Sequence, residues 1–490
     1  MAKESLEINL AGIRLSKNSS TPLYSQVYEQ LRTMILNKRL RPGDRLPASR
    51  NLAKDLKVSR VIISQGYEQL MIEGYLIGKT GSGTFVADIL PDHLLNAAKI
   101  DSTAENNHAP APIPGEIISS PGHYKTEVMP FQIGTPSLDF FPYKNWFNVG
   151  NKVLKGLKGF HLGYDDALGY WPLRKAIASY LRLSRAVKCE AEQVIVVTGS
   201  QQGLNLIVKC LLKKGDRVWM EDPGYPGARI SFQNAEANIC PVPIEKDGLN
   251  IAYAMKQFTD AKLAYITPSQ QFPLGYTLSQ AKRLQLLEWA GRKKMWILED
   301  DYDSEFRYES SPLPSLQGLD DAGRVIYSGT FSKVLFPGLR LAYIVLPSVD
   351  MVDAFKKAKE NTDRQSPVMD QLILSRFMEE GYFLRHIRKM RLLYAERQNI
   401  LIKLMNENLE NYFRLNISPS GMHLVCWPSA SIDIKKFREE VKKQKLAIFF
   451  INDYTIQNQS DAIALGFTAF SKYKIKTGIE KLVKAVQQSL

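Results

Sequence analysis

Ser328-Gly-Thr-Phe-Ser-Lys333-Val-Leu-Phe-Pro-Gly-Leu-Arg340 decides the fold of the larger part of this 490-residue chain. One lysine follows two hydroxyl side chains, Thr330 and Ser332, and precedes a cationic Arg340 by seven residues, so an amine stands beside groups suited to an anion. Four more fragments precede it in order: Tyr164 to Gly169, Thr198-Gly-Ser-Gln-Gln202, Glu221-Asp-Pro-Gly-Tyr-Pro226 and Glu299-Asp-Asp-Tyr302. Around them, helical patterns such as Leu173 to Leu183 alternate with strand-like runs. Val194–Thr198, Arg217–Met220, Leu263–Ile266, Met295–Leu298 and Ala342–Leu346 are the clearest of these runs. Such alternation predicts an α/β domain built on a mainly parallel sheet.

The ordered fragments resemble the fold type I aminotransferases over about residues 130 to 490. That resemblance implies a pyridoxal 5'-phosphate (PLP) dependent transferase fold with a smaller C-terminal subdomain. PLP needs an amine for its Schiff base, a carboxylate at its ring nitrogen, a phosphate cradle and a ring stack. Carried onto this chain, Lys333 would bear the Schiff base and Arg340 would hold the phosphate. Gly199, Ser200 and Gln201 end a strand and begin a helix, where free N–H groups and the positive dipole end suit a phosphate. Thr330 and Ser332 would complete that cradle, Tyr225 would stack on the ring, Asp300 would pair with the ring nitrogen, and Tyr302 would bond the phenolic oxygen.

Two positions depart from the pattern. In Pro268-Ser-Gln-Gln-Phe-Pro-Leu-Gly275, Phe272 stands where aminotransferases usually place an asparagine on that phenolic oxygen. In Ala462-Ile-Ala-Leu-Gly-Phe467, Ala464 stands where an arginine usually forks a substrate carboxylate. The first departure favours ligand sensing over sustained turnover, with residual half-transamination left open.

The first ninety residues follow another pattern. Tyr24 to Leu36 carries apolar residues at helical spacing and stops before Pro42-Gly43; Ala48 to Leu56 gives a second short helix. Ser59 is placed to cap a third helix, from Arg60 to about Glu73, and Tyr75–Ile77 with Thr84–Val86 reads as a hairpin wing. Gly66 inside the third helix costs about 1 kcal/mol against alanine. Two helices, a tight turn and a wing make a winged helix-turn-helix, whose second helix enters the major groove of double-stranded DNA. Pro42 to Ala53, Val58-Ser-Arg60, Tyr67 to Leu70, Glu73 to Leu76 and Gly81 to Val86 closely resemble the GntR family of bacterial repressors. The resemblance implies that Arg50 and Arg60 contact DNA, that Ser59 holds a phosphate, and that Gly81, Ser82 and Gly83 approach the minor groove.

Residues 91 to 125 lose periodicity and hold Pro110, Pro112, Pro114 and Pro121, which predicts a linker. The expected organisation is therefore an arm at 1–20, a winged helix-turn-helix at 21–88, a linker at 89–125 and an effector domain at 126–490. The net charge of +14 suits a polyanionic partner, although residues 21 to 90 carry 10 Lys/Arg against 6 Asp/Glu, so most of the excess lies elsewhere. No apolar run approaches a membrane span, and the N-terminus opens on polar sequence without a signal-peptide stretch. Cys189, Cys210, Cys240 and Cys426 are scattered, the pattern of buried reduced thiols rather than of metal ligands.

A GntR-like reader joined to an aminotransferase-like domain resembles the MocR/GabR family of bacterial transcription regulators across almost the whole chain. The expectation is a cytoplasmic, nucleoid-associated homodimer that binds operator DNA and senses PLP, an amine or an amino acid. The alternative is a PLP-dependent aminotransferase with an accessory DNA-binding domain. Ala464 turns the expected effector toward PLP itself or an amine without the usual carboxylate contact.

Overall fold

The computed structural model describes residues 10, 12–17, 19–79, 82–88, 128–308, 313–457 and 459–490. They fall into two compact units, Met1–Glu116 and Ile117–Leu490. The expected linker and Gly81 lie outside the described residues.

In the first unit, α1 (Leu23–Leu36) buries Val27, Tyr28, Leu31 and Ile35, an i, i+4, i+8 stripe that faces α2 (Ser49–Asp55) and α3 (Arg60–Ile72). The hairpin pairs β1 (Leu76–Lys79) with β2 (Gly83–Val86) in antiparallel register, one residue later at its start than the sequence suggested. Tyr75 is instead a buried core residue whose N–H donates to the Leu70 carbonyl, so it closes α3 rather than opening the strand. Leu10 and Ile13 are buried in the same core, and Gln26 and Gln30 on α1 accept from the backbone N–H groups of Ser16 and Arg14. Part of the expected arm therefore packs on the head.

The structure adds to two readings of α3. Ser59 holds the N-cap position with extended backbone, yet its side chain makes no capping hydrogen bond. Gly66 is more than a weak helix former. A Cβ there would sit 3.1 Å from Cγ1 of Val27 and 3.3 Å from the Tyr24 carbonyl oxygen, so the missing side chain lets α1 and α3 approach.

The second unit is built on an eight-stranded sheet in the order β3, β10, β9, β8, β7, β4, β5, β6. These strands are β3 (Val194–Val197), β4 (Arg217–Asp222), β5 (Asn238–Glu245), β6 (Gly248–Leu249), β7 (Leu263–Ile266), β8 (Trp296–Asp301), β9 (Val325–Thr330) and β10 (Ala342–Val345). β5, β4, β7, β8 and β9 run parallel, as expected of apolar strands covered on both faces by helices. β10 is antiparallel to both β3 and β9, and β6 to β5, within a sheet that is mainly parallel as expected.

The smaller subdomain is a four-stranded antiparallel sheet of β11 (Phe413–Asn416), β12 (His423–Pro428), β14 (Ile463–Gly466) and β13 (Phe449–Phe450) in that order. Its core continues into the helices Tyr382–Leu409, Ile434–Lys443 and Lys472–Gln487. Of the cysteines, Cys210 is only half-buried while the other three are buried, and all four are free thiols. Among the described residues no helix is long and apolar enough to cross a membrane.

Candidate functional site

The carboxyl ends of the parallel strands converge, and open α/β sheets bind ligands at that edge. β9 ends at Thr330, where the chain turns sharply; the Thr330 hydroxyl accepts from the Ser332 N–H at 3.2 Å and sets the turn that presents Lys333. Nζ of Lys333 donates to the carbonyl oxygen of Gly134 at 2.8 Å. Burial lowers the Lys333 pKa from its usual value, against the opposing pull of Asp303 and Asp300.

β8 delivers Asp300, whose carboxylate accepts from the Tyr265 hydroxyl at 2.7 Å. Burial pushes its pKa up to about 6; the Tyr265 bond and Lys333 pull it down, and Asp301 adds to the rise. Two residues on, the Tyr302 hydroxyl is buried and has no hydrogen-bond partner among the described residues. A phenol left unpaired in this way costs free energy unless a ligand atom meets it. Tyr225 precedes the helix Pro226–Asn234, and its ring meets Phe272 edge-on at 5.7 Å.

Gly199 precedes the helix Ser200–Leu211 with φ at +127°. A Cβ there would lie 3.0 Å from Nη2 of Arg340, so the guanidinium and the bare helix N-terminus share one small space. Arg340 itself has a left-handed backbone, φ +52°. The Gln201 side chain points elsewhere, donating to the Gly227 carbonyl at 3.0 Å and to the Ser231 hydroxyl at 2.6 Å, which leaves its backbone N–H as the group aimed at an anion.

An amine, a buried carboxylate, an orphaned phenol and an N–H cradle with an arginine fit PLP, the cofactor of this fold. Several contributors carried no local sequence signal. Gly134, Tyr265 and Asp303 lie far from Lys333 in the chain, and only the Gly134-Thr-Pro136 turn marks the first. Behind the site, Arg185 forms a buried ion pair with Asp301 at 2.8 Å. Asp222 accepts from the N–H groups of Ile456 and Gln457 at 2.7 and 2.8 Å, tying a segment of the smaller subdomain to the end of β4.

On the first unit, Arg50, Ser59, Arg60, Ser82 and Gly83 are all exposed. Nε of Arg60 donates to the Ser49 hydroxyl at 3.3 Å, which links the first turns of α3 and α2. Arg45 went unnoticed in the sequence, yet its Nε would lie 3.0 Å from a Cβ at Gly83, so it stands against the wing.

The two units thus define a winged-helix DNA reader and a fold type I aminotransferase domain carried on one chain. Residues 23–86 match the bacterial regulatory proteins of the gntR family, and residues 126–463 match the aminotransferase class I and II family. The chain is 39% identical to the probable rhizopine catabolism regulatory protein MocR of Rhizobium meliloti, over 84% of this chain and 83% of the relative. It is 33% identical to the uncharacterized HTH-type transcriptional regulator YdeL of Bacillus subtilis, over 96% and 98% of the two chains. The crystal structure of Pyrococcus horikoshii kynurenine aminotransferase superposes with a TM-score of 0.69 at 26% identity, covering 74% of this chain and 92% of that one. The chain belongs to the MocR-type GntR transcription regulators, in which a helix-turn-helix reader is joined to an aminotransferase-like domain.

Proposed function

We propose that the chain regulates transcription by reading operator DNA with residues 21–88 and by sensing a small ligand at a PLP site in residues 126–490, with 89–125 as the linker. The observation that carries the ligand site is the buried Tyr302 hydroxyl, without a hydrogen-bond partner among the described residues, in a domain that also buries the Lys333 amine and the Asp300 carboxylate. When bound, PLP supplies a carbonyl carbon that amines add to and an aromatic ring that accepts electrons. Lys333, its ammonium form disfavoured by burial, keeps an amine available for that carbon. With PLP bound, the Asp300 carboxylate would pair with the ring nitrogen and favour its protonated form, and Tyr302 would donate to the phenolic oxygen. The N–H groups of Gly199, Ser200 and Gln201, with Thr330, Ser332 and Arg340, would hold the phosphate, and Tyr225 would stack on the ring. Phe272 offers that oxygen no second hydrogen bond, which favours sensing over turnover.

Arg50 and Arg60 contact bases or phosphates, Ser59 a phosphate, and the wing from Gly81 to Gly83, backed by Arg45, approaches the minor groove. The protein works as a homodimer in the cytoplasm, bound at its operators in the nucleoid. Tyr143, Phe147 and Leu154 on one helix, followed by Phe160, Leu162 and Tyr164, are all more than half exposed, an apolar set that a second copy would cover. A ligand that fits one arrangement of the dimer better shifts the population and with it the presentation of the two readers.

The test is direct. The purified protein should be yellow, borohydride should fix the cofactor on the peptide containing Lys333, and gel shifts should find a preferred fragment near its own gene. Absence of the adduct from that peptide would remove the cofactor assignment; equal affinity for all fragments would remove the operator assignment.

A further inference from the structure

We propose that the ligand sensed at the Lys333 site is a primary amine with an apolar substituent and no carboxylate; this rests on the reading above that the site is the sensor. β14 alternates between two environments. Ile463 and Leu465 lie in the core of the smaller subdomain, whereas Ala462 and Ala464 fall on the opposite face with Leu274, Val425 and Ile451. Ile133 packs against that same face.

Two connections lead from this face to the amine. The Gly466 N–H donates to the Phe131 carbonyl at 2.8 Å, which sets β14 beside the segment running to Gly134, the acceptor for Lys333. Phe449, directly across from Ala464 in the sheet, meets Phe272 edge-on at 5.6 Å, and Phe272 in turn meets Tyr225 at 5.7 Å and Tyr302 at 6.1 Å. Tyr225, Phe272 and Phe449 are half-buried, so the surface that meets Tyr302 is aromatic, with Ala464 and its aliphatic neighbours fully buried behind it. A carboxylate pressed on it would shed water and gain no ionic partner, a heavy penalty, whereas an alkyl or aryl group gains from leaving water.

Three arginines near this face make contacts of their own. Arg340 stands at Gly199 on the phosphate side. Arg229 donates to the Thr455 carbonyl at 3.3 Å, and Arg438 forks both oxygens of Asp453 at 2.7 and 2.9 Å.

The experiment uses the full chain loaded with PLP and ligand pairs that differ only in a carboxylate: 2-phenylethylamine with phenylalanine, and 3-methylbutylamine with leucine. Operator affinity and the visible band are followed for each. The amine should act at a concentration at least tenfold below its amino-acid partner, and Ala464→Arg should narrow or invert that order. An amino acid acting in the wild-type protein at or below the concentration of its amine overturns the proposal, and the wild-type ranking decides it even where Ala464→Arg fails to fold. If neither member of any pair acts while PLP loading alone changes DNA affinity, the amine proposal falls and the site remains a sensor, of PLP itself. If PLP loading also leaves DNA affinity unchanged, the sensor reading falls with it.

Discussion

Gly134 and Lys333 meet end to end: the lysine Nζ donates to the glycine carbonyl at 2.8 Å, and a Cβ at 134 would stand 2.8 Å from that same nitrogen. The glycine also has φ at +70°, a backbone that other residues adopt at a cost of about 1 kcal/mol or more. Gly134→Ala should therefore crowd the amine without touching the phosphate cradle. PLP affinity should fall at least tenfold with operator binding by the apo-protein unchanged, as measured by cofactor titration of the visible band alongside gel shifts.

Arg60→Ala should cost about 1–3 kcal/mol of operator affinity if the side chain reaches a base, and the loss should be concentrated at one position of the site. Ser49→Ala, which removes only the partner that orients Arg60, should cost less and leave the sequence preference intact. Footprint titrations over a range of salt concentrations separate the two, because losing a pure phosphate contact lowers the salt dependence and losing a base contact does not.

Gly66→Ala should fail to deliver the gain of about 1 kcal/mol that helix propensity alone would give. The new methyl would press on fully buried Val27 at 3.1 Å, and overpacking of this kind typically costs about 1–3 kcal/mol. Calorimetry of the full chain should show the transition of the first unit lowered or unmoved. A clear rise would mean that α1 yields freely.

The apo-protein should be most stable in mild acid. Asp300 has its pKa raised from 3.8 to about 6, so the folded state binds the proton more tightly than the unfolded chain. Its contribution is complete below pH 3.8 and is lost as pH rises toward 6, worth about 3 kcal/mol at most by linkage. Burial raises Glu221, Glu299 and Glu305 to about 7 in the same direction. Thermal midpoints of the second unit should fall between about pH 4 and 7 without cofactor. Loading with PLP should flatten the slope, since a protonated ring nitrogen favours ionised Asp300.

The elements with strong periodicity were legible from the chain. Leu263–Ile266 appears as read, and the three helices of the head fall within two residues of expectation. The mainly parallel direction of the sheet was legible, but its reversed strand was not: Ala342–Val345 is buried on both faces, and such a run looks the same whichever way its neighbours point. The site shows the same division. Residues embedded in local turns, such as Lys333, Gly199 and Tyr225, could be picked out, whereas Gly134, Tyr265 and Arg45 matter only through contacts across the fold. The Ser59 hydroxyl shows the converse, because residue type named a cap that the side-chain geometry does not make.

The hydrogen bond from Gly466 to Phe131 joins residues near opposite ends of the second unit, whereas the core of the first unit is complete with Val86. During synthesis from the N-terminus, the DNA reader thus has its whole core before the ribosome reaches Phe131, while the sensor must await nearly the entire chain. A transcript cut short, or a nascent chain stalled in its last hundred codons, would release a reader with no working sensor. If the proposed function holds, the order of domains would leave incomplete copies unresponsive to ligand yet with the whole core of the reader formed.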